Sequence, residues 1–179
     1  MFSARKSWHF LVTAALFPTL GVGAGLGFGV LLTAKIAELE PHQALTRLAP
    51  DRVYIGMECR HSHRALAALD AAPGTRPVVV IPVDVEASPE RDQMCRGAVA
   101  LLKRNGSAWW GVLPEAYVCT RIAEGAQAWV QERIGDEFRV PAWVVRGELG
   151  VPGVSEETLA LLRSEGLLAA GMSEATRTP

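Results

Sequence analysis

Arg52-Val53-Tyr54-Ile55-Gly56-Met57-Glu58-Cys59-Arg60-His61-Ser62-His63 is the stretch on which the fold turns. Its first residues are a short β-prone run that ends at a glycine. A polar turn follows, and from there to Ala72 the chain is rich in alanine and leucine, with Leu66 and Leu69 on one helical face. Pro73-Gly74 stops the pattern. The stretch predicts a strand, a tight turn and a helix. Next comes Val78-Val79-Val80-Ile81, then Val83-Asp84-Val85, a β-branched run of the kind buried on both faces of a sheet. Pro82 interrupts it and marks a strand end or a bulge, because proline cannot donate to a ladder.

Further along, Ser88 is a helix N-cap with Pro89 at the first helical position and Glu90 and Asp92 near the positive helix end. That helix runs through Cys95, Val99 and Leu102 and closes at Asn105-Gly106. A second runs from about Glu115 to Ile134, and Trp109 and Trp110 occupy the loop between them, either packing it down or forming an exposed docking patch. Val140-Pro141-Ala142-Trp143-Val144-Val145 is the next strand, and Leu149-Gly150-Val151 pairs back across a turn at Arg146-Gly147-Glu148. Ser155 caps a last helix that ends at Gly166. Strands alternating with helices in this order predict an α/β fold with a sheet covered on both faces.

The remaining sequence bounds where such a domain works. Residues 10–33 carry no charge, a length that matches the roughly 20 apolar residues of a bilayer-spanning helix. A signal peptide has a shorter apolar core and a small-residue cleavage site, so an uncleaved anchor is the preferred reading. Arg5 and Lys6 precede the span, whereas Lys35 is soon followed by Glu38 and Glu40. By the positive-inside rule, residues 1–9 are cytoplasmic and the rest is extracytoplasmic, periplasmic in a bacterium. Gly21, Gly25 and Gly29 fall on one face of the span, with Gly23 and Gly27 nearly opposite. Such spacing lets helices pack closely, although glycine is also simply common in spanning helices. Residues 34–50 read as a linker or short helix interrupted by Pro41, residues 51–170 as the domain with a helical insertion at 88–135, and residues 171–179 as a flexible tail. Without Arg5 and Lys6 the chain's 18 basic residues become 16 against 19 acidic ones, a net of −3. No basic stripe is present, which argues against nucleic acid as a partner. No cofactor is expected.

Cys59 is the residue with chemistry. At the first turn of a helix it faces aligned backbone N–H groups, and Arg60, His61 and His63 bring positive charge, a setting that favours a nucleophilic thiolate. The alternative is an inert, partly buried thiol. Met57, Cys59, His61 and His63 also admit a copper(I) reading, since Cys59 and His63 are four residues apart on one helix face; a set of polar helix-cap residues explains the same pattern.

Taken together, the element order and Cys59-Arg60-His61-Ser62 directly after a strand resemble the thioredoxin fold, and within it the exported Dsb-type thiol-disulfide oxidoreductases and isomerases. The resemblance covers roughly residues 51–168. It implies that Cys59 is the nucleophile, that His61 tunes its thiolate, and that Pro141 is a cis-proline facing it. It also implies a structural disulfide between Cys95 and Cys119, the alternative being two free buried cysteines. One departure stands out: Ser62 occupies the place of the resolving cysteine. A Cys-x-x-Ser site forms no internal disulfide but still attacks a substrate disulfide and holds the mixed disulfide until another thiol releases it. The expected partners are therefore protein thiols and disulfides. The rival expectation is a non-catalytic scaffold subunit among other membrane proteins, and copper(I) delivery through Cys59 and His63 comes third.

Overall fold

The computed structural model describes residues 40–105, 108–135, 139–150 and 152–170. The expected anchor at 10–33 with Gly21, Gly25 and Gly29, and the tail at 171–179, lie outside these residues. Among the described residues no helix is long and apolar enough to cross a membrane.

Helix α1 (Pro41–Leu48) leads into β1 (Arg52–Ile55), α2 (Arg60–Ala71) and β2 (Val79–Pro82). Then come α3 (Pro89–Asn105), the short α4 (Ala108–Val112) and α5 (Glu115–Ile134). A hairpin of β3 (Ala142–Val145) and β4 (Glu148–Leu149) precedes α6 (Glu156–Ser164). The four strands form one mixed sheet in the order β2-β1-β3-β4. β1 runs parallel to β2, with Arg52 opposite Val79 and Ile55 opposite Pro82. It is antiparallel to β3, where Val53 faces Trp143. This order and these senses are compatible with a thioredoxin-like arrangement. Pro82 does mark a strand end, and the chain beyond it still reaches back: Val83 N–H donates to the Ile55 carbonyl at 2.9 Å.

The two-residue period of β1 distributes the core. Val53 and Ile55 point to one side, into a cluster with Ala65 of α2, Trp143, and Leu162 of α6. Arg52 and Tyr54 point to the other, where α1 and α5 meet them. Burying a strand on both faces requires helices above and below it, and the two crossings of the sheet supply them.

Three expectations need correction. Residues 34–50 are not all linker: the compact unit begins at Glu40, and Pro41, rather than interrupting a helix, starts one at its first position. Proline suits that place because the N–H it lacks has no partner in the first turn anyway. His42 and Leu45 of that helix are buried. The tryptophans are not in a loop, since α4 contains both; Trp110 is buried, while the side chain of Trp109 lies outside the description. The hairpin is tighter than expected. Arg146 and Gly147 both have positive φ, 53° and 87°, the two-residue turn that matches strand twist, so β4 begins at Glu148.

Helix α1 is held by a polar cluster. Arg52 Nε donates to the Tyr54 hydroxyl at 2.8 Å, and His42 Nε2 lies 2.8 Å from the same oxygen. With Arg52 donating, the phenolic proton goes to a neutral His42. Tyr54 stacks on Trp129 at 4.9 Å, and the guanidinium groups of Arg52 and Arg133 sit 5.4 and 5.2 Å from the Trp129 ring centre. Burial, then the nearby Arg52 charge, lowers His42 from 6.5 to about 4.

Because the unfolded chain takes up this proton more readily than the fold does, the stabilisation is complete above pH 6.5 and is lost as pH falls from 6.5 to about 4, on the order of 3 kcal/mol in all. Denaturant titrations across that window should show this acid limb in the parent and a shallower one in His42→Gln. The packing of α1 on α5 makes a second prediction. A Cβ on Gly125 would lie 2.6 Å from His42 Cβ, an atom fixed close to the backbone. Alanine gains about 1 kcal/mol of helix propensity, but forcing the helices apart costs about 1–3 kcal/mol. Gly125→Ala should therefore lower the unfolding midpoint instead of raising it.

Candidate functional site

The site forms where β1 ends. After Ile55 the chain must turn sharply into α2, and three bonds fix how. Cys59 N–H donates to the Gly56 carbonyl at 3.2 Å, Gly56 N–H to the Ser62 hydroxyl at 3.1 Å, and Met57 N–H to the Asp84 carboxylate at 2.7 Å. Cys59 thus becomes the N-cap residue of α2, with extended backbone (φ −82°, ψ 113°) and no side-chain cap bond of its own. Its thiol is half-buried, and Sγ donates to the Val140 carbonyl at 3.2 Å.

That carbonyl belongs to a cis peptide, Val140–Pro141. Residues separated by about eighty positions are brought together because β3 pairs with β1 and its leading end lies beside the end of β1. The approach is close. A Cβ on Gly56 would lie 3.0 Å from Val140 Cγ2 and 3.6 Å from Cys59 Cβ, so glycine leaves room for Val140 to reach the thiol.

Ser62 has a different environment from Cys59. It is buried at 1% exposure, and its hydroxyl is engaged by Gly56 N–H. The side chain at the resolving position therefore ties the helix to the strand end. His61 is exposed and lines the same cleft as Cys59. His63 turns elsewhere: its Nε2 lies 2.7 Å from the Met57 carbonyl. With Cys59 Sγ bonded to Val140 and the His63 ring to Met57, the proposed copper pair faces two different carbonyls. Among the described residues no group of three or more His, Cys, Asp or Glu side chains is placed to hold a metal ion.

The cleft has a volume of about 630 Å³. Its walls are Cys59, His61 and Arg64 of α2, Arg139 and Val140 before β3, and the 152–155 loop. Gly153 N–H donates to the Pro141 carbonyl at 2.8 Å, and Trp143 Nε1 donates to the Gly153 carbonyl at 2.9 Å. The loop is thereby pinned along the proline edge. Arg64 and the loop were not anticipated from the sequence. The three-residue spacing of His61 and Arg64 puts both on one helix face, and that spacing was the available signal for Arg64. Nothing local in the sequence pointed to the loop.

Away from the cleft, Cys95 on α3 and Cys119 on α5 are both buried, at 0% and 1% exposure. Both are free thiols in this structure, and they lie near each other. The neighbouring Cys119 thiol, together with burial, pushes the Cys95 thiol up, so it remains protonated.

Comparison of the chain with family models, with curated proteins and with solved structures finds no match.

Proposed function

We propose that this chain is a membrane-anchored, thioredoxin-like protein of thiol–disulfide exchange that works through one nucleophilic cysteine, Cys59. The observation that carries the reading is the meeting of a helix-capping thiol with the carbonyl before a cis-proline, at the wall of an open cleft. The resemblance to the Dsb-type family supports the same residues, with His61 beside the thiolate and Pro141 shaping the substrate groove. In this reading residues 10–33 anchor the chain, and the domain faces the extracytoplasmic side.

The chemistry balances with one protein sulfur. The Cys59 thiolate attacks one sulfur of a substrate disulfide, a new S–S bond forms, and the old one breaks as the other substrate sulfur leaves with the electron pair. Deprotonation also frees the Val140 carbonyl, which then accepts an N–H from an extended substrate backbone. Ser62 holds no sulfur, so release requires a second thiol. When that thiol belongs to the same substrate, the cycle rearranges disulfides with no net oxidation. In an oxidising compartment a disulfide-bearing oxidant would also join Cys95 and Cys119, whose thiols already lie near each other.

A scaffold role is the second reading, favoured by one feature: the resolving position is filled by a buried hydroxyl that serves the fold. The two readings separate experimentally. In the full-length chain, thiol-trapping should capture partners as mixed disulfides through Cys59, and Cys59→Ser should lose them all. Full capture by Cys59→Ser refutes the assignment, and a stable stoichiometric assembly with an unreactive Cys59 selects the scaffold. Ser62→Cys should convert the site to a dithiol that closes its own disulfide, seen as a loss of two hydrogens by mass spectrometry. It should also shorten the lifetime of captured partners and cost about 0.5–1.5 kcal/mol of stability through the lost bond to Gly56.

A further inference from the structure

We infer that Asp84 is a positioning residue for the Cys59 nucleophile, the tie that holds the turn in place once the thiol has lost its proton. The inference rests on the exchange reading and adds a residue to that site. In the thiol state two side-chain bonds join the turn to chain outside β1 and α2. Cys59 Sγ donates to the Val140 carbonyl at 3.2 Å, just ahead of β3, and Asp84 Oδ2 accepts from Met57 N–H at 2.7 Å, just after β2. Attack requires the thiolate, which has no proton to give, and the Val140 carbonyl is an acceptor only. The first bond is therefore absent in the reacting state and in the mixed disulfide that follows. The second involves neither the sulfur nor its proton, so it persists through both.

Asp84 is well anchored for this role. Val83 N–H donates to the Ile55 carbonyl at 2.9 Å, which fixes the backbone next to Asp84 against the end of β1. On the other side of Met57, His63 Nε2 lies 2.7 Å from the carbonyl oxygen, so that nitrogen carries the proton and donates it. Met57 is thus held by its N–H and its C=O, but His63 belongs to α2 and moves with that helix. The Ser62 hydroxyl, also on α2, reaches only as far as Gly56. Among the described residues, no bond other than that to Asp84 joins Met57 or Glu58 to chain outside the turn and α2. Without it, Met57 N–H turns to water and the turn is free to shift against the Val140 wall. Attack on a disulfide needs the incoming sulfur in line with the S–S bond, and a misplacement of about 1 Å costs on the order of a hundredfold in rate.

The test compares two reactions of Cys59 in the full-length protein. The first is exchange with a peptide cysteine held as a mixed disulfide with 2-thiopyridine. The thiolate attacks the peptide sulfur, the protein–peptide disulfide forms, and the pyridine thiolate leaves and is protonated to thiopyridone, read by absorbance. The second is alkylation by iodoacetamide, in which sulfur bonds to carbon and iodide leaves. A reagent this small reaches an open thiolate from many directions. Both are run where ultraviolet absorbance shows Cys59 ionised, with Cys59→Ser as the background. Asp84→Ala should lower exchange relative to alkylation roughly tenfold. Asp84→Asn should keep the parent ratio, because its carboxamide oxygen still accepts the Met57 N–H. Gly125→Ala, which weakens the fold away from the site, should keep it too. Labelling of the buried Cys95 and Cys119 reports whether a variant has opened. If Asp84→Ala opens, Asp84→Glu takes its place, since one more methylene displaces the acceptor without removing the carboxylate. An unchanged ratio in the closed variant, an equal loss in Asp84→Asn, or an equal loss in Gly125→Ala overturns the inference while leaving exchange at Cys59 standing. No Cys59-dependent release of thiopyridone by the parent overturns the exchange reading and the inference with it.

Discussion

Strand β1 has only four residues, yet β2 bonds one of its edges and β3 the other, and all four of its residues are buried. A strand in that position leaves its neighbours little freedom. Its pleat sends Val53 and Ile55 toward α2 and α6 and sends Tyr54 toward α1 and α5, so the helices must divide between the faces. Its end must release the chain within a few residues into α2, whose first turn therefore lies at the end of the strands. Because β3 runs the opposite way, its beginning arrives at that same place. The proximity of Cys59 and Pro141 follows from the pairing of β1 and β3.

The same junction shows how little of such a site depends on sulfur at the second position. Ser62 is small, buried and able to accept the Gly56 N–H, which would otherwise lie in the interior without a partner. A buried polar group of this kind stabilises the turn whatever chemistry occurs beside it. The turn that presents Cys59 is also braced by Asp84, just after β2, and by Val140, just before β3, through bonds that leave Ser62 aside. Presentation of the thiol and the identity of the side chain at position 62 are thus separate features of this fold.

Much of this architecture was legible in the sequence because its signals are local. Ser88 accepts from Arg91 N–H and Ser155 from Thr158 N–H, as helix-capping serines do, and Pro82 stands at a strand end. The strand at β2 and the helix after Cys59 were marked by composition and periodicity. The failures are where meaning depends on distant residues. Pro41 looked like an interruption because nothing nearby shows that His42 and Leu45 bury themselves against β1 and α5. The tryptophan pair looked like a loop because the short α4 has too few residues to display a period. The 152–155 loop became part of the cleft through bonds to Pro141 and Trp143, pairings that no spacing rule anticipates. The placement of Pro141 beside Cys59 was expected by resemblance, since their separation along the chain offers no local clue.

The Cys95 and Cys119 thiols are sealed from solvent between α3 and α5. A reagent can reach them only when the two helices part, so their modification is limited by the opening equilibrium of this layer, whatever the intrinsic reactivity of the sulfurs. The pair is in effect an internal gauge of breathing. The slower it reacts relative to Cys59, the larger the free energy that holds the helical layer closed. A bond between the two sulfurs would then lock that layer against the motion that allowed the bond to form.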